Sequence, residues 1–153
     1  MLEVLLRRIL TVMLGAAVAA VLLTSALASA STSRATLQLR RTSLGAILVD
    51  DRDYTVYAFS KDSRNKDNCA KIGACLGAWP LVATPGKPVA GKGVNSSLIG
   101  AITLKSGARQ VTYAGHPLYT YVGDSGPGEA FYVNIFQFGG FWPAVNAAGR
   151  QVK

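Results

Sequence analysis

Hydrophobic positions along this chain fall into short runs separated by breaks rich in glycine and charge, and beyond residue 30 no run keeps a helical period. Residues 44–49 form a compact apolar run rich in branched side chains. The charged cluster Asp50, Asp51, Arg52, Asp53 follows, and then residues 54–60, which together predict a strand, a turn and a strand. Side chains alternate along a strand, so Thr55, Tyr57 and Phe59 are expected on one face and Val56 and Ala58 on the other. The polar stretch 61–75 predicts a long loop. Residues 78–82 predict a short strand at a sheet edge or strand start, because Pro80 has no N–H to give to a ladder. Residues 83–97 collect Pro85, Gly86, Pro88, Gly91 and Gly93 and read as a connection between two halves. Further strands are expected over 98–104, 110–113, 117–122, 131–136, 141–145 and 151–152, divided by glycine turns. The fold class that follows is all-β: two related halves of short antiparallel strands forming one compact domain.

The two halves echo one another. Tyr57, Phe59 and Asp62 recur as Tyr119, Tyr121 and Asp124 at an offset of 119 − 57 = 62, each set reading as Tyr, any residue, an aromatic, two of any residue, then Asp. Trp79 and Pro80 recur as Trp142 and Pro143 at an offset of 142 − 79 = 63, and the chain's 2 tryptophans are both used in this echo. A repeat is the expected origin of such spacing, with the copies placed at about 44–82 and 102–152.

The first 30 residues stand apart. Arg7 and Arg8 precede the apolar segment 9–27, which ends in small residues, and both 26–28 and 28–30 fit a small, any, small cleavage rule. A secretory signal is expected, with an uncleaved helical membrane anchor as the rival reading. Residues 31–43 are expected to be a flexible lead, and 44–153 the β-domain. Cleavage after Ala30 would leave 14 Lys and Arg against 7 Asp and Glu, a net charge of +7. That balance suits an anionic cell-wall or envelope polymer as partner, and it serves solubility equally. Specific nucleic-acid binding is not expected, since the cations are not interleaved with aromatics along a strand. Membrane contact is expected only through the N-terminal segment, if it stays uncleaved.

In an exported chain, Cys69 and Cys75 are expected to form a disulfide. A metal or redox pair is the alternative; zinc would want four ligands, and the chain has 2 Cys and 1 His, His116. No metal and no cofactor is expected.

The paired Tyr and Asp phrases, the two Trp-Pro pairs and the string Gln110, Val111, Thr112, Tyr113, Ala114, Gly115, His116, Pro117, Leu118, Tyr119 together resemble a bacterial family of predicted exported lipoproteins with a Y-x-[FWY]-x-x-D motif, the secreted repeat of unknown function. The resemblance runs over about 44–152. It implies an envelope location and a paired repeat, and it brings no activity with it. The chain differs from lipid-anchored members in having no Cys at the expected cleavage point.

Candidate binding residues are therefore Tyr57, Phe59, Asp62, Trp79, Tyr119, Tyr121, Asp124 and Trp142. Exposed, the aromatics would make a stacking platform for sugar rings; buried, they would be core, and the aspartates would set turns. Three functions are weighed. The first is a non-enzymatic binding or structural module of the cell envelope. The second is a small enzyme acting on envelope polysaccharide with Asp62 and Asp124 as its carboxylate pair. The third is a redox-linked partner protein in which Cys69 and Cys75 cycle. Ser125, in the string Asp124, Ser125, Gly126, resembles a protease nucleophile segment but lacks a base with an orienting acid. His116 falls where the repeat places Tyr54 and is read as a turn residue.

Overall fold

A computed structural model describes residues 34–153. The expected signal or anchor over 1–30, with the start of the lead at 31–33, lies outside the described residues.

The architecture is all-β, with ten short strands, a 3-10 turn at Cys69–Lys71 and one single-turn α-helix among the described residues. Strand β1 (Thr36–Thr42) pairs antiparallel with β2 (Gly45–Val49), from Gln38 opposite Val49 to Thr42 opposite Gly45. The tight turn between them places Gly45 at φ +91°, where a side chain would be strained. Strand β3 (Val89–Ala90) runs parallel to β1 along its other edge. In the second half, β4 (Ile99–Thr103) and β5 (Arg109–Tyr113) repeat the β1–β2 hairpin, from Ile99 opposite Tyr113 to Thr103 opposite Arg109. Strand β6 (His116–Pro117) then turns back onto β5. Strands β7 (Ile135–Gln137) and β8 (Gly140–Trp142) form a hairpin, and β9 (Ala144–Val145) pairs with β10 (Gln151–Val152).

Several expectations are refined by this arrangement. The lead expected over 31–43 contains strand β1 over Thr36–Thr42, paired with β2 and β3. Its Leu37 and Leu39 alternate with Gln38 and Arg40, and Leu37 is completely buried. Residues 54–60 are extended and bridged only at Thr55 and Tyr57 rather than laddered along their length. Residues 75–78, expected to be loop and strand, hold one helical turn, α1 (Cys75–Ala78), and the extended chain begins after it with bridges at Leu81 and Ala83. Of the strand expected over 131–136, only Ile135 and Phe136 belong to β7; residues 131–134 are a turn. The cluster 50–53 is the expected turn. The Asp50 carboxylate accepts the N–H groups of Arg52 and Tyr54, both at 2.9 Å, and is held by the Arg52 guanidinium at 2.8 Å.

The alternation read from 55–59 sorts side chains into two cores rather than into a core and a wet face. Val56 and Ala58 join Leu37, Leu48, Val82, Val111, Tyr113, Leu118 and Val145. Tyr57 and Phe59 join Cys69, Cys75, Trp79, Tyr119 and Trp142. The segment is buried on both sides, as a central strand is; its start bonds the neighbouring β2, the Val56 N–H donating to the Leu48 carbonyl, and from Tyr57 onward its bonds go to Tyr119, Pro143 and Phe141, distant in sequence.

Candidate functional site

The motif residues meet at the contact between the two halves. Tyr57 and Tyr119 lie opposite one another and exchange both backbone hydrogen bonds: the Tyr57 N–H donates to the Tyr119 carbonyl at 2.8 Å, and the Tyr119 N–H to the Tyr57 carbonyl at 2.9 Å. Outward from this pair the bonds continue in equivalent couples. The Ala58 N–H donates to the Pro143 carbonyl and the Thr120 N–H to the Pro80 carbonyl, each at 2.9 Å. The Ser60 N–H reaches Phe141 at 2.9 Å as the Val122 N–H reaches Ala78 at 3.1 Å. Each motif strand is thus flanked by the Trp-Pro segment of the opposite repeat. The two copies are interlocked, not stacked.

Side chains follow the same exchange. Trp79 and Trp142 stack face to face, ring centroids 4.0 Å apart and planes 4° from parallel. Phe59 covers the far side of Trp142 at 4.3 Å, and Tyr121 covers the far side of Trp79 at 4.2 Å, giving a four-ring stack in which each motif aromatic lies on the other repeat's tryptophan. Tyr57 meets Trp79 edge-on at 5.1 Å, as Tyr119 meets Trp142 at 5.2 Å. Such pairs contribute about 0.5–1.5 kcal/mol each beyond the area they bury. Both indole N–H groups end on one residue: Trp79 donates to the Gln137 side-chain oxygen at 2.7 Å and Trp142 to the Gln137 backbone carbonyl at 3.1 Å.

The phenols reach across to the aspartates. The Tyr57 hydroxyl lies 3.1 and 3.0 Å from the two carboxylate oxygens of Asp124, and the Tyr119 hydroxyl donates to Asp62 at 2.7 Å. Asp62 also accepts the backbone N–H of Asn68 at 2.7 Å, which fixes the start of the loop behind it. Burial raises both carboxyl groups to about 6. At Asp62 the Asn68 N–H and the Tyr119 hydroxyl oppose that rise; at Asp124 the Tyr57 hydroxyl does. Burial, with the facing carboxylate second, holds both phenols far above the ordinary tyrosine range. The phenols are therefore donors at every physiological pH.

Of the eight candidate binding residues, Tyr57, Trp79, Tyr119 and Trp142 have no exposed surface and Phe59 only 1%. These five present no face on which a sugar ring could stack. Asp124 is buried, while Asp62 and Tyr121 are half-buried, Tyr121 also packing against Tyr132 at 4.6 Å. Cys69 and Cys75 form a disulfide, both cysteines fully buried against the aromatic cluster. It staples the loop that runs from Asp62 to α1. Ser125 donates to Glu129, its neighbour in the same turn. His116 begins β6, and burial with Arg64 nearby lowers its pKa. Sequence reasoning did not single out Gln137, which no motif marks.

An all-β module closed by two interlocked repeats, with phenol–carboxylate bonds exchanged over a tryptophan pair, is the class that this geometry defines. A protein family described as a secreted repeat of unknown function matches the chain twice, over residues 39–83 and 100–146, and the chain belongs to that family. The two matches fall on the two equivalent halves. Both begin within the first strand of a hairpin, β1 or β4, rather than at the 44 and 102 expected. The family is described as secreted, and this is an exported protein. No curated protein and no solved structure matches the chain.

Proposed function

We propose that this protein is a non-enzymatic module of the bacterial cell envelope, delivered by its N-terminal segment as a cleaved signal or a helical anchor, with a binding or structural role there. The observation that supports this best is the closure just described: the residues that look most like a functional signature are consumed in holding the two repeats together. A carboxylate pair for glycoside hydrolysis needs oxygens open to substrate and water. Here both Asp124 oxygens face the Tyr57 hydroxyl inside the fold, and Asp62 is occupied by Tyr119 and Asn68. A cycling redox pair needs a sulfur that a partner thiolate can attack, and Cys69 and Cys75 are fully buried.

Binding on this reading belongs to the outer surface and to its cations, with an anionic wall or envelope polymer as partner. Retention of the purified protein on such a polymer should fall steeply as salt is raised, since exposed charges separated by more than about 10 Å are screened near 0.1 M. Failure to bind any envelope polymer at low salt would remove the binding role and leave the structural one.

A further inference from the structure

The most distinctive cavity lies away from the aromatic closure, where the two repeats differ. The stapled loop of the first repeat leans over the end of β4 and the β4–β5 turn of the second, enclosing a cleft of about 390 Å³. That volume lies within the range of sites for small organic ligands, about 300–1,000 Å³. Its walls are mostly apolar, with Ile102 and Leu104 from one side facing the loop, and Lys66, Lys71 and Lys105 also line it. The ion pairs among the described residues, Arg40 with Asp53 and Arg52 with Asp50, involve none of these lysines. Lys71 is steadied by the Asn68 side-chain oxygen at 2.7 Å.

A second observation comes from Asp67, which lines the same cleft and is only 5% exposed. One carboxylate oxygen accepts the Ala70 N–H at 2.8 Å; the other, Oδ2, is buried and has no hydrogen-bond partner. Buried polar groups in folded proteins are nearly always satisfied, so an orphan acceptor beside a cleft calls for a donor. Three lysines among the residues lining an apolar hollow favour an anion with an apolar portion. One ligand class meets both demands.

We infer that this cleft binds a small anionic amphiphile: a polyol phosphate ester whose phosphate sits among Lys66, Lys71 and Lys105, whose chain lies on Ile102 and Leu104, and whose hydroxyl donates to Asp67. The disulfide and the Asp62–Asn68 bond hold the loop in place for it. This goes beyond the envelope-module reading and does not depend on it, because the probe is a monomer in solution and its binding is read at the cleft residues.

The test is titration of the purified oxidised protein with octanoyl lysophosphatidylglycerol below its micelle concentration, followed by calorimetry and by amide chemical shifts. Saturable one-to-one binding is expected, with shifts concentrated in 65–71 and 102–106. Lys66→Ala and Lys105→Ala, both at exposed positions, should each weaken it roughly tenfold, the loss of one charge-assisted contact. Asp67→Asn keeps an oxygen for the Ala70 N–H but puts an N–H donor where the ligand hydroxyl needs an acceptor, and it should weaken binding several-fold. Glycerol phosphate, lacking the chain, and octanoyl lysophosphatidylcholine, lacking the net charge, should both bind more weakly. Near-ultraviolet circular dichroism checks that each variant is folded. The inference is overturned by an absence of saturable binding, by affinities indifferent to Lys66 and Lys105 in folded variants, or by glycerol phosphate binding equally well.

Discussion

Trp79 and Trp142, 63 residues apart in sequence, lie 4.0 Å apart in nearly parallel planes, and Gln137 takes the N–H of both. Two indoles at that separation couple electronically, so the protein should show an exciton couplet in its far-ultraviolet circular dichroism. Trp79→Phe and Trp142→Phe should each strongly reduce the couplet while the fold persists, leaving only the weaker coupling of the remaining indole to its tyrosine neighbours. A couplet unchanged by either substitution would contradict the stack. Truncation is a harsher change. Trp142→Ala empties the centre of the stack and should cost about 3–5 kcal/mol in urea unfolding, as large aromatic deletions do.

The phenol–carboxylate exchange predicts matched losses in the two halves. Tyr57→Phe leaves Asp124 buried without its donor, and Tyr119→Phe does the same to one oxygen of Asp62. Each should destabilise by about 1–3 kcal/mol, the cost of an unmet buried acceptor. A double-mutant cycle between Tyr57 and Asp124 should give a coupling of about 0.5–3 kcal/mol, and Tyr57 with Asp62 far less. If Tyr57 coupled instead to the aspartate of its own motif, the exchange would be wrong.

Acid should favour the fold through these same carboxyls. Both are raised to about 6 in the folded chain, against about 3.9 in an unfolded one. Between those values the folded state keeps protons that the unfolded state has released. Their contribution is therefore full below about pH 4, declines as pH rises toward 6, and is flat beyond. Asp124→Asn should remove part of that slope. Thermal midpoints of parent and variant compared from pH 4 to 7 give the answer, and parallel curves would count against a buried, raised Asp124.

Reduction of the disulfide should loosen the loop that walls the cleft. Closing so short a loop stabilises by roughly 2–3 kcal/mol in the chain-entropy account, so a reductant, or Cys69→Ala with Cys75→Ala, should lower the urea midpoint. The aromatic couplet should remain under native conditions. Unchanged stability after verified reduction would show that the loop is held by Asp62 and its packing alone.

Much of this was legible in the chain. The two-residue alternation of 55–59 correctly assigned Tyr57 and Phe59 to one side and Val56 and Ala58 to the other. It could not reveal that both sides are buried, because an interior with two apolar faces still reads as alternation when one face is aromatic. Strand β1 was passed over because Arg40, Arg41 and Thr42 mask the alternation of Leu37 and Leu39. The exchange was hidden for a deeper reason. An offset of 62 or 63 says which residues are equivalent, but a tyrosine bonded to its own aspartate and one bonded to its counterpart's leave the same spacing. The cleft was likewise illegible, since Lys66 and Asp67 meet Ile102 and Leu104 only after the chain has folded back.

The crossed placement of the Trp-Pro segments makes the contact between repeats isologous: what the first does to the second, the second does to the first. That is the rule of a two-fold homodimer, here written within a single chain. A lone repeat would leave its motif strand without flank or lid, whereas two separate copies could complete each other. Joining them through residues 84–98 turns a bimolecular association into an internal one, whose effective concentration is set by the tether. Beyond the cytoplasm a partner held only by concentration is easily lost, and a pairing carried on one chain cannot be diluted away.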